Sequence, residues 1–263
     1  MMDLLQHLIP DFAHMFSANP NGISAWFWLV TALIFGFSLF FLMLHFRHFK
    51  ARMRALRSLL DGQSKDTLAA SRRETLHKAQ ELKASNVGML WREFDESLVQ
   101  SSDQQKLFNT LDAEHFFNAR TLASGLTASR LLAAAPSFLV AVGVLGTFVG
   151  LTVGLEGLVG TSDEIEALKG GINKLISGAA VAFMTSVWGV AFSLLLNIIE
   201  KMFERSALID IQRLQHDIDF LYPRIPAEQS LVHIAEYGKE SKEALQELHE
   251  RIGDRLQETL NGM

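Results

Sequence analysis

The sequence predicts an all-α membrane protein with three transmembrane helices, long cytoplasmic helical extensions and a C-terminal coiled-coil tail. Three apolar stretches, residues 24–46, 135–159 and 172–199, are each long enough to cross a bilayer and carry no charge at their centres. The rest of the chain is dense in charged helix formers, holds few prolines and shows no alternating strand pattern. A composition of 49% hydrophobic and 20% charged residues fits a chain divided between membrane and water.

Composition and motifs exclude several classes of function. The net charge of -5 gives no basic excess, so we expect no nucleic-acid partner. The chain has no cysteine, which excludes disulfides and thiolate metal sites, and its histidines lack the spacing of a metal centre. It also lacks the GxxxxGK[ST], GxGxxG and GxSxG motifs of nucleotide-binding proteins and serine hydrolases. We therefore predict that the protein is not an enzyme and has no metal site or cofactor.

Residues 1–23 precede the first predicted span. Residues 1–21 contain no Lys or Arg, so this segment lacks the positive region of a cleaved signal peptide. Its leucines and phenylalanines predict a short helix that lies in the membrane–water interface on the external side and is interrupted near Pro10. A frayed terminus is the alternative. The first span, residues 24–46, is aromatic on every side and has no row of small residues, which places it on the outside of the bundle.

The distribution of positive charge predicts the orientation in a bacterial inner membrane. Five basic residues directly follow the first span: Arg47, Lys50, Arg52, Arg54 and Arg57. Of the 24 Lys and Arg residues, only Lys169 and Lys174 fall in or beside the predicted external loop, residues 160–171. By the positive-inside rule the N-terminus is periplasmic, and residues 47–134 are cytoplasmic. We expect several amphipathic helices there, with breaks near Asp61–Gly62 and around Asn86–Gly88.

The second and third spans each carry small residues at helical spacing. In residues 135–159 these are Gly143, Gly146, Thr147, Gly150, Gly154 and Gly157, of which all but Gly146 follow steps of 4, 3, 4 and 3. In residues 172–199 they are Gly178, Ala182, Ser186, Gly189, Ser193 and Asn197. Small residues at this spacing let helix backbones approach closely inside a membrane. We therefore predict that the two spans pack along a common seam.

Hydroxyl groups of both spans fall near the middle of the membrane. At about 1.5 Å per residue, Thr147 lies roughly 16 Å into its helix, and Thr185 and Ser186 lie roughly 20 Å into theirs. Such hydroxyls can line a water wire or pass a proton on, but they do not titrate near neutral pH. The ordinary alternative is that they bond carbonyls of their own helix or hold helices together. If ions pass here, the titrating carboxylate must come from another chain.

Beyond the third span the helix is predicted to continue over residues 200–222 and to break at Tyr222–Pro223. A row of mostly apolar residues then recurs at 3,4 spacing from Leu231 to Ile252 and shifts to 4,4 spacing at Leu256 and Leu260. This pattern, with its stutter, predicts that residues 223–263 form a coiled-coil tail that self-associates. Because the pattern is still running at Met263, we expect a longer tail. The acidic loop of residues 160–171 either attracts cations to an entrance or is a solvated turn.

The segments 143–150 (GVLGTFVG) and 182–189 (AFMTSVWG) resemble the two pore-lining motifs of the MotA/TolQ/ExbB proton-channel family, G-x-x-GT-x-x-G and A-L-x-x-T-x-x-G. The resemblance implies that Thr147 is the first pore hydroxyl and that Ser186 takes the place of the second pore threonine. It also implies a homopentameric ring around two single-span partner chains, each bringing a membrane aspartate. Proton flow would turn the ring relative to this pair; sodium as the translocated ion stays open.

Departures from the family pattern narrow the resemblance. ExbB and TolQ carry a glutamate where this chain has Val181, and MotA-type stators have four spans rather than three. Three spans, the TSVWG segment and a coiled tail are most similar to a branch that acts in anti-phage defence. That branch implies a partner with a peptidoglycan-binding domain. The alternatives are an ExbB/TolQ-like energiser of envelope transport and a membrane scaffold or sensor that conducts no ions.

Overall fold

The computed structural model describes residues 20–82, 86–101, 106–156, 165–225 and 227–261. The predicted interfacial helix before Pro20, the seam residue Gly157 and the first part of the acidic loop lie outside these ranges. The described chain is mostly helical. Its helices are α1 (Pro20–Leu60), α2 (Leu68–Glu81), α3 (Val87–Glu96), α4 (Ala113–Phe116), α5 (Ala119–Leu122), α6 (Ser124–Thr127), α7 (Arg130–Glu156), α8 (Ile165–Leu221) and α9 (Ala227–Asn261).

Three helical segments are long and apolar enough to cross a membrane: Ser24–Leu60, Ser124–Glu156 and Lys169–Leu221. The prediction of three membrane-spanning helices is thus confirmed by length and composition. The chain divides into two compact units, to which α1 and α8 both contribute. We call residues up to Met53 with Asn118–Ile211 the membrane unit, and Arg54–Phe117 with Gln212 onward the polar unit.

In the membrane unit, α1 packs along α8 through aromatic rings. Phe35 stacks on Phe192 with ring centroids 4.9 Å apart, and Phe46 meets Phe203 at 4.5 Å. Both contacts pair rising residue numbers, so the two helices run parallel. The core lies where Leu139 of α7 joins them. Other large side chains of α1, among them Phe37 and Phe40, remain more than half exposed.

The polar unit contains a short β-hairpin, which the sequence did not predict, within a fold that is otherwise helical as predicted. Strands β1 (Leu98–Gln100) and β2 (Leu107–Asn109) pair antiparallel, with Val99 opposite Phe108. Each strand has three residues, too few for an apolar alternation to show in the sequence. The chain beyond α8 joins the hairpin, since the Asn109 N–H donates to the Pro223 carbonyl at 3.0 Å and the Ile225 N–H donates to the Asn109 carbonyl at 3.0 Å.

The core of the polar unit is a cluster of buried aromatic side chains: Trp91, Phe94, Phe116, Phe117 and Tyr222. Burial raises the pKa of the Tyr222 hydroxyl, which lies 3.2 Å from Gln63 Oε1 and donates to it. Two of the predicted break residues stand next to helix ends: α1 ends at Leu60, two residues before Gly62, and α3 begins directly after Asn86. Gly62 and Asn86 both have positive φ, at 76° and 66°, a conformation that glycine and asparagine adopt most readily.

A forked ion pair joins α2 to α3. Arg72 Nε donates to Asp95 Oδ1 at 2.9 Å, and Arg72 Nη2 donates to Asp95 Oδ2 at 3.1 Å and to the Asp95 carbonyl at 2.7 Å. Asp95 is only 8% exposed, so its carboxylate depends on this partner. Breaking a buried pair leaves one charge uncompensated.

We expect Arg72→Ala to lower the free energy of unfolding of the polar unit by about 3 kcal/mol and Arg72→Lys by about half of that, because lysine cannot form the fork. Thermal unfolding of the purified full chain measures the loss. The neighbouring Arg73 is exposed, so Arg73→Ala serves as the matched control and should change little. Equal effects of the two alanine variants would contradict a role for the fork.

Candidate ion-pathway site

Four buried glycines of α7 form one side of a close helix contact: Gly143, Gly146, Gly150 and Gly154. The facing side of α8 is formed by four buried residues: Gly178, Ala182, Thr185 and Gly189. We call these eight residues the glycine seam. The α7 sequence supplies glycine at steps of 3 and 4, which keeps one face of the helix free of side chains.

The backbones of α7 and α8 touch directly along the seam. A Cβ atom added to Gly189 would lie 2.7 Å from the Leu139 carbonyl oxygen and 2.9 Å from Gly143 Cα. A Cβ atom on Gly178 would lie 2.8 Å from the Gly150 oxygen and 2.9 Å from Gly154 Cα. These distances leave no room for any side chain, and they show that the two helices run antiparallel. This is the packing that small residues permit in lipid, where no hydrophobic force drives helices together.

Thr185 is the one hydroxyl inside the seam. Its side chain is 3% exposed, and its Oγ1 donates to the Ala182 carbonyl at 2.7 Å and lies 3.5 Å from the Gly143 carbonyl. A Cβ atom on Gly146 would lie 2.6 Å from Thr185 Oγ1. The Thr185 side chain fits against α7 because Gly146, which has no side chain, lies opposite it. The spacing argument had put Thr147 in the row of contacts; in the structure Gly146 takes that place.

Thr147 and Ser186 lie beside the seam rather than in it, and both are partly exposed. Thr147 Oγ1 donates to the Val144 carbonyl of its own helix at 2.6 Å. Each residue comes one position after a seam residue, Gly146 or Thr185, and one step turns a helix by about 100°. Because α7 and α8 are antiparallel and both right-handed, this step turns the two side chains to the same side of the helix pair.

Ser193 and Asn197, which the sequence assigned to the seam, belong to the same side. They follow Thr185 by eight and twelve residues, which corresponds to rotations of roughly 80° and 120°. Ser193 is partly exposed and Asn197 exposed. We call Thr147, Ser186, Ser193 and Asn197 the polar flank. The structure thus separates the predicted residues into a buried seam that holds the helices together and an accessible flank that carries polar groups.

Sequence spacing alone could not separate these two sets. Thr147 directly follows Gly146 on α7, and Ser186 directly follows Thr185 on α8. On either helix, a row that includes the first or the second residue of the pair has steps of 3 and 4. The deciding feature is the bulk of Thr185, which fits only opposite a glycine. Leu175, whose backbone lies beside Gly154, was also missed because leucine is not a small residue.

Comparison with known proteins gives consistent matches. Residues 13–263 match the family described as anti-phage protein ZorA of the Zorya type I system. The Zorya protein ZorA of Escherichia coli O139:H28 (strain E24377A / ETEC) is 25% identical over 177 residues, which cover 65% of this chain and 24% of that protein. The Zorya protein ZorA of Escherichia coli strain ATCC 8739 (Crooks) is 35% identical over 79 residues, covering 29% of this chain and 14% of that protein. The aligned regions therefore make up about a quarter or less of these relatives.

Proposed function

Because the chain belongs to the ZorA-like family of the type I Zorya anti-phage system, we propose that it is the ion-channel subunit of a rotary membrane motor driven by the proton motive force. The observation that carries this proposal is the polar flank. Thr147 and Ser186 are turned to one side of the α7–α8 pair and are partly exposed. The resemblance of their segments to the MotA/TolQ/ExbB motifs implies that they correspond to the two pore hydroxyls of that family. Polar groups at this depth favour contact with water or protein over lipid.

The proposed assembly is a homopentamer around two copies of a single-span partner of the ZorB type. No Asp, Glu, Lys or Arg stands near the middle of any of the three spans, so this chain cannot store a titrating proton there. A membrane aspartate of the partner would supply that group, and a peptidoglycan-binding domain would hold the partner still. The ring would lie in the inner membrane with its N-terminus periplasmic, as the basic residues after the first span indicate.

The tail extends this proposal into the cytoplasm. In α9 five apolar residues of the predicted coiled coil are at least half exposed: Leu231, Ile234, Leu245, Leu248 and Ile252. A helix with such a row stabilises itself by pairing with other copies. We infer that five tails join below the ring and carry the signal of infection into the cell.

One observation favours a scaffold that conducts no ions. The hydroxyls of Thr147 and Thr185 both donate to carbonyls of their own helices, which is how threonines behave where they serve packing alone. An ExbB/TolQ-like energiser of envelope transport is less favoured, because Val181 replaces that branch's glutamate.

The two hydroxyls of the polar flank test the proposal. We expect Thr147→Ala and Ser186→Ala, each co-expressed with the neighbouring single-span protein, to reduce ion flux and phage protection to the level of cells without the chain. Flux is measured with a pH-sensitive dye in vesicles, and a sodium-sensitive dye identifies the other ion. Thr152→Ala is the matched control, since Thr152 is an exposed threonine of the same helix that also bonds its own helix carbonyl, that of Phe148 at 2.8 Å.

Size-exclusion chromatography must show normal assembly of all three variants. Full flux in both the Thr147 and Ser186 variants would refute the ion pathway. A scaffold would show no flux in the parent and no dependence on the partner's aspartate.

A further inference from the structure

The polar flank of α8 continues to the cytoplasmic end of the third span and meets a carboxyl group there. Ser186, Ser193 and Glu200 follow one another at steps of seven residues. Seven residues make two helical turns to within about 20°, so these three side chains form one row along the helix. Asn197 lies beside the row, about one turn before Glu200. The row extends over about 21 Å, from the middle of the membrane to its edge.

Glu200 is buried and unpaired. It is 9% exposed, and no hydrogen bond or ion pair joins it to any residue that the structure describes. The next residue, Lys201, pairs instead with Glu204, with Nζ 2.7 Å from Oε2. An unpaired carboxylate is costly at a buried position, and uptake of a proton removes the charge and with it that cost.

The helices beside Glu200 bring no counter-charge to it. Continuing the register of the glycine seam places Glu200 level with Leu132 of α7, which is 7% exposed. The charged residue of α7 closest to this level, Arg130, is exposed. On α1, whose Phe46 contacts Phe203 of α8, three titratable residues lie near this level, and none pairs with Glu200: His45, Arg47 and His48.

We propose that Glu200 is the proton acceptor at the cytoplasmic end of the ion pathway, an inference that rests on the proposed function. A proton that leaves the partner's membrane carboxylate passes through water along Ser186 and Ser193 and binds a carboxylate oxygen of Glu200. Its release to cytoplasmic water restores the carboxylate. The serine hydroxyls can pass a proton on but cannot hold one, whereas a glutamate can. A glutamate that only marked the membrane boundary would reach water, and that role does not explain the burial of Glu200.

Proton flux tests this role in vesicles that contain the full chain and its single-span partner. We expect Glu200→Gln, which keeps the size of the side chain but cannot take up a proton, to lower the flux about tenfold or more. Glu200→Asp should keep most of the flux. Glu204→Gln is the matched control, because it removes a carboxylate of the same helix that is already paired with Lys201.

A pH profile separates proton uptake from a structural role. With the pH difference across the membrane held constant, the parent's flux should fall as the pH on the cytoplasmic side is lowered, because Glu200 then keeps its proton. The residual flux of Glu200→Gln should lack this dependence. Glu200→Asp should shift the profile to lower pH, because aspartate binds a proton less tightly than glutamate. If Glu200→Gln fails to assemble on size-exclusion chromatography, the Asp variant decides, and an unchanged profile overturns the proposal.

The outcomes distinguish this inference from the proposed function. Full flux in Glu200→Gln together with loss of flux in Thr147→Ala would overturn the role of Glu200 and leave the ion pathway standing. Equal losses in Glu200→Gln and Glu204→Gln would also overturn it, since the charge of this boundary rather than proton uptake would then set the flux. A parent that carries sodium alone would exclude a proton acceptor. A parent without any flux would refute the proposed function, and this inference with it.

Discussion

Gly189→Leu is expected to remove the folded protein from membranes almost completely. Any side chain at residue 189 meets the Leu139 carbonyl and Gly143 Cα, which are backbone atoms and cannot rotate away. The helices would have to separate along the seam, exposing the close contacts of Gly143 and Thr185 as well. Overpacking of this kind costs about 3 kcal/mol or more, and a membrane bundle has no hydrophobic force to offset it. Fluorescence-detected size-exclusion chromatography measures the yield of folded protein.

Gly36→Leu provides the matched control. Gly36 also lies in a membrane-spanning helix, but nothing lies within 4 Å of a Cβ atom placed on it. Both substitutions add the same volume and remove the same helix-destabilising glycine. We expect the Gly36 variant to accumulate at the level of the parent. A normal yield of the Gly189 variant would mean that α7 and α8 do not pack in the membrane as they do in this structure.

The seam and the polar flank show how far sequence reasoning reaches. Membrane helices were predictable because length, apolarity and the absence of central charges are properties of the sequence alone. The contact of α7 and α8 through glycines was also predictable from the sequence. So many glycines destabilise a helix, and they are expected only where another helix backbone packs closely against it. The sequence did not predict which of two adjacent residues, such as Gly146 and Thr147, faces the other helix. That choice depends on the volume of the side chains on the opposite helix.

The polar unit shows the opposite case. Its charge and helix-forming residues predicted soluble helices, but the residues that organise it are separated by more than a hundred positions in the sequence. Trp91 and Phe94 are amphipathic helix positions that any partner could cover. The sequence marked their packing partner Tyr222 only as the residue before Pro223, where a helix ends. The contact of Tyr222 with Trp91 and Phe94 depends on how the chain folds back, which no local sequence pattern predicts.

Tyr222→Ala is therefore expected to destabilise the polar unit more than any other single change proposed for it. The Tyr222 ring is 3% exposed and meets the Phe94 ring edge to face, with centroids 5.2 Å apart. Deleting a buried aromatic ring costs about 3–5 kcal/mol. Hydrogen exchange of the full chain measures this loss as faster exchange of the α3 amides, by roughly two to four orders of magnitude.

Two further variants identify the cause. Tyr222→Phe keeps the ring and removes only the hydrogen bond to Gln63, so exchange should accelerate by about tenfold or less. Tyr237→Ala removes the chain's other tyrosine, which is 68% exposed on α9, and should leave α3 unchanged. The backbone bonds of Asn109 to Pro223 and Ile225 depend on the same core, so the Tyr222→Ala variant should also lose protection at Ile225. Protection retained at both α3 and Ile225 would show that the hairpin, rather than the aromatic cluster, holds the connection between α8 and α9.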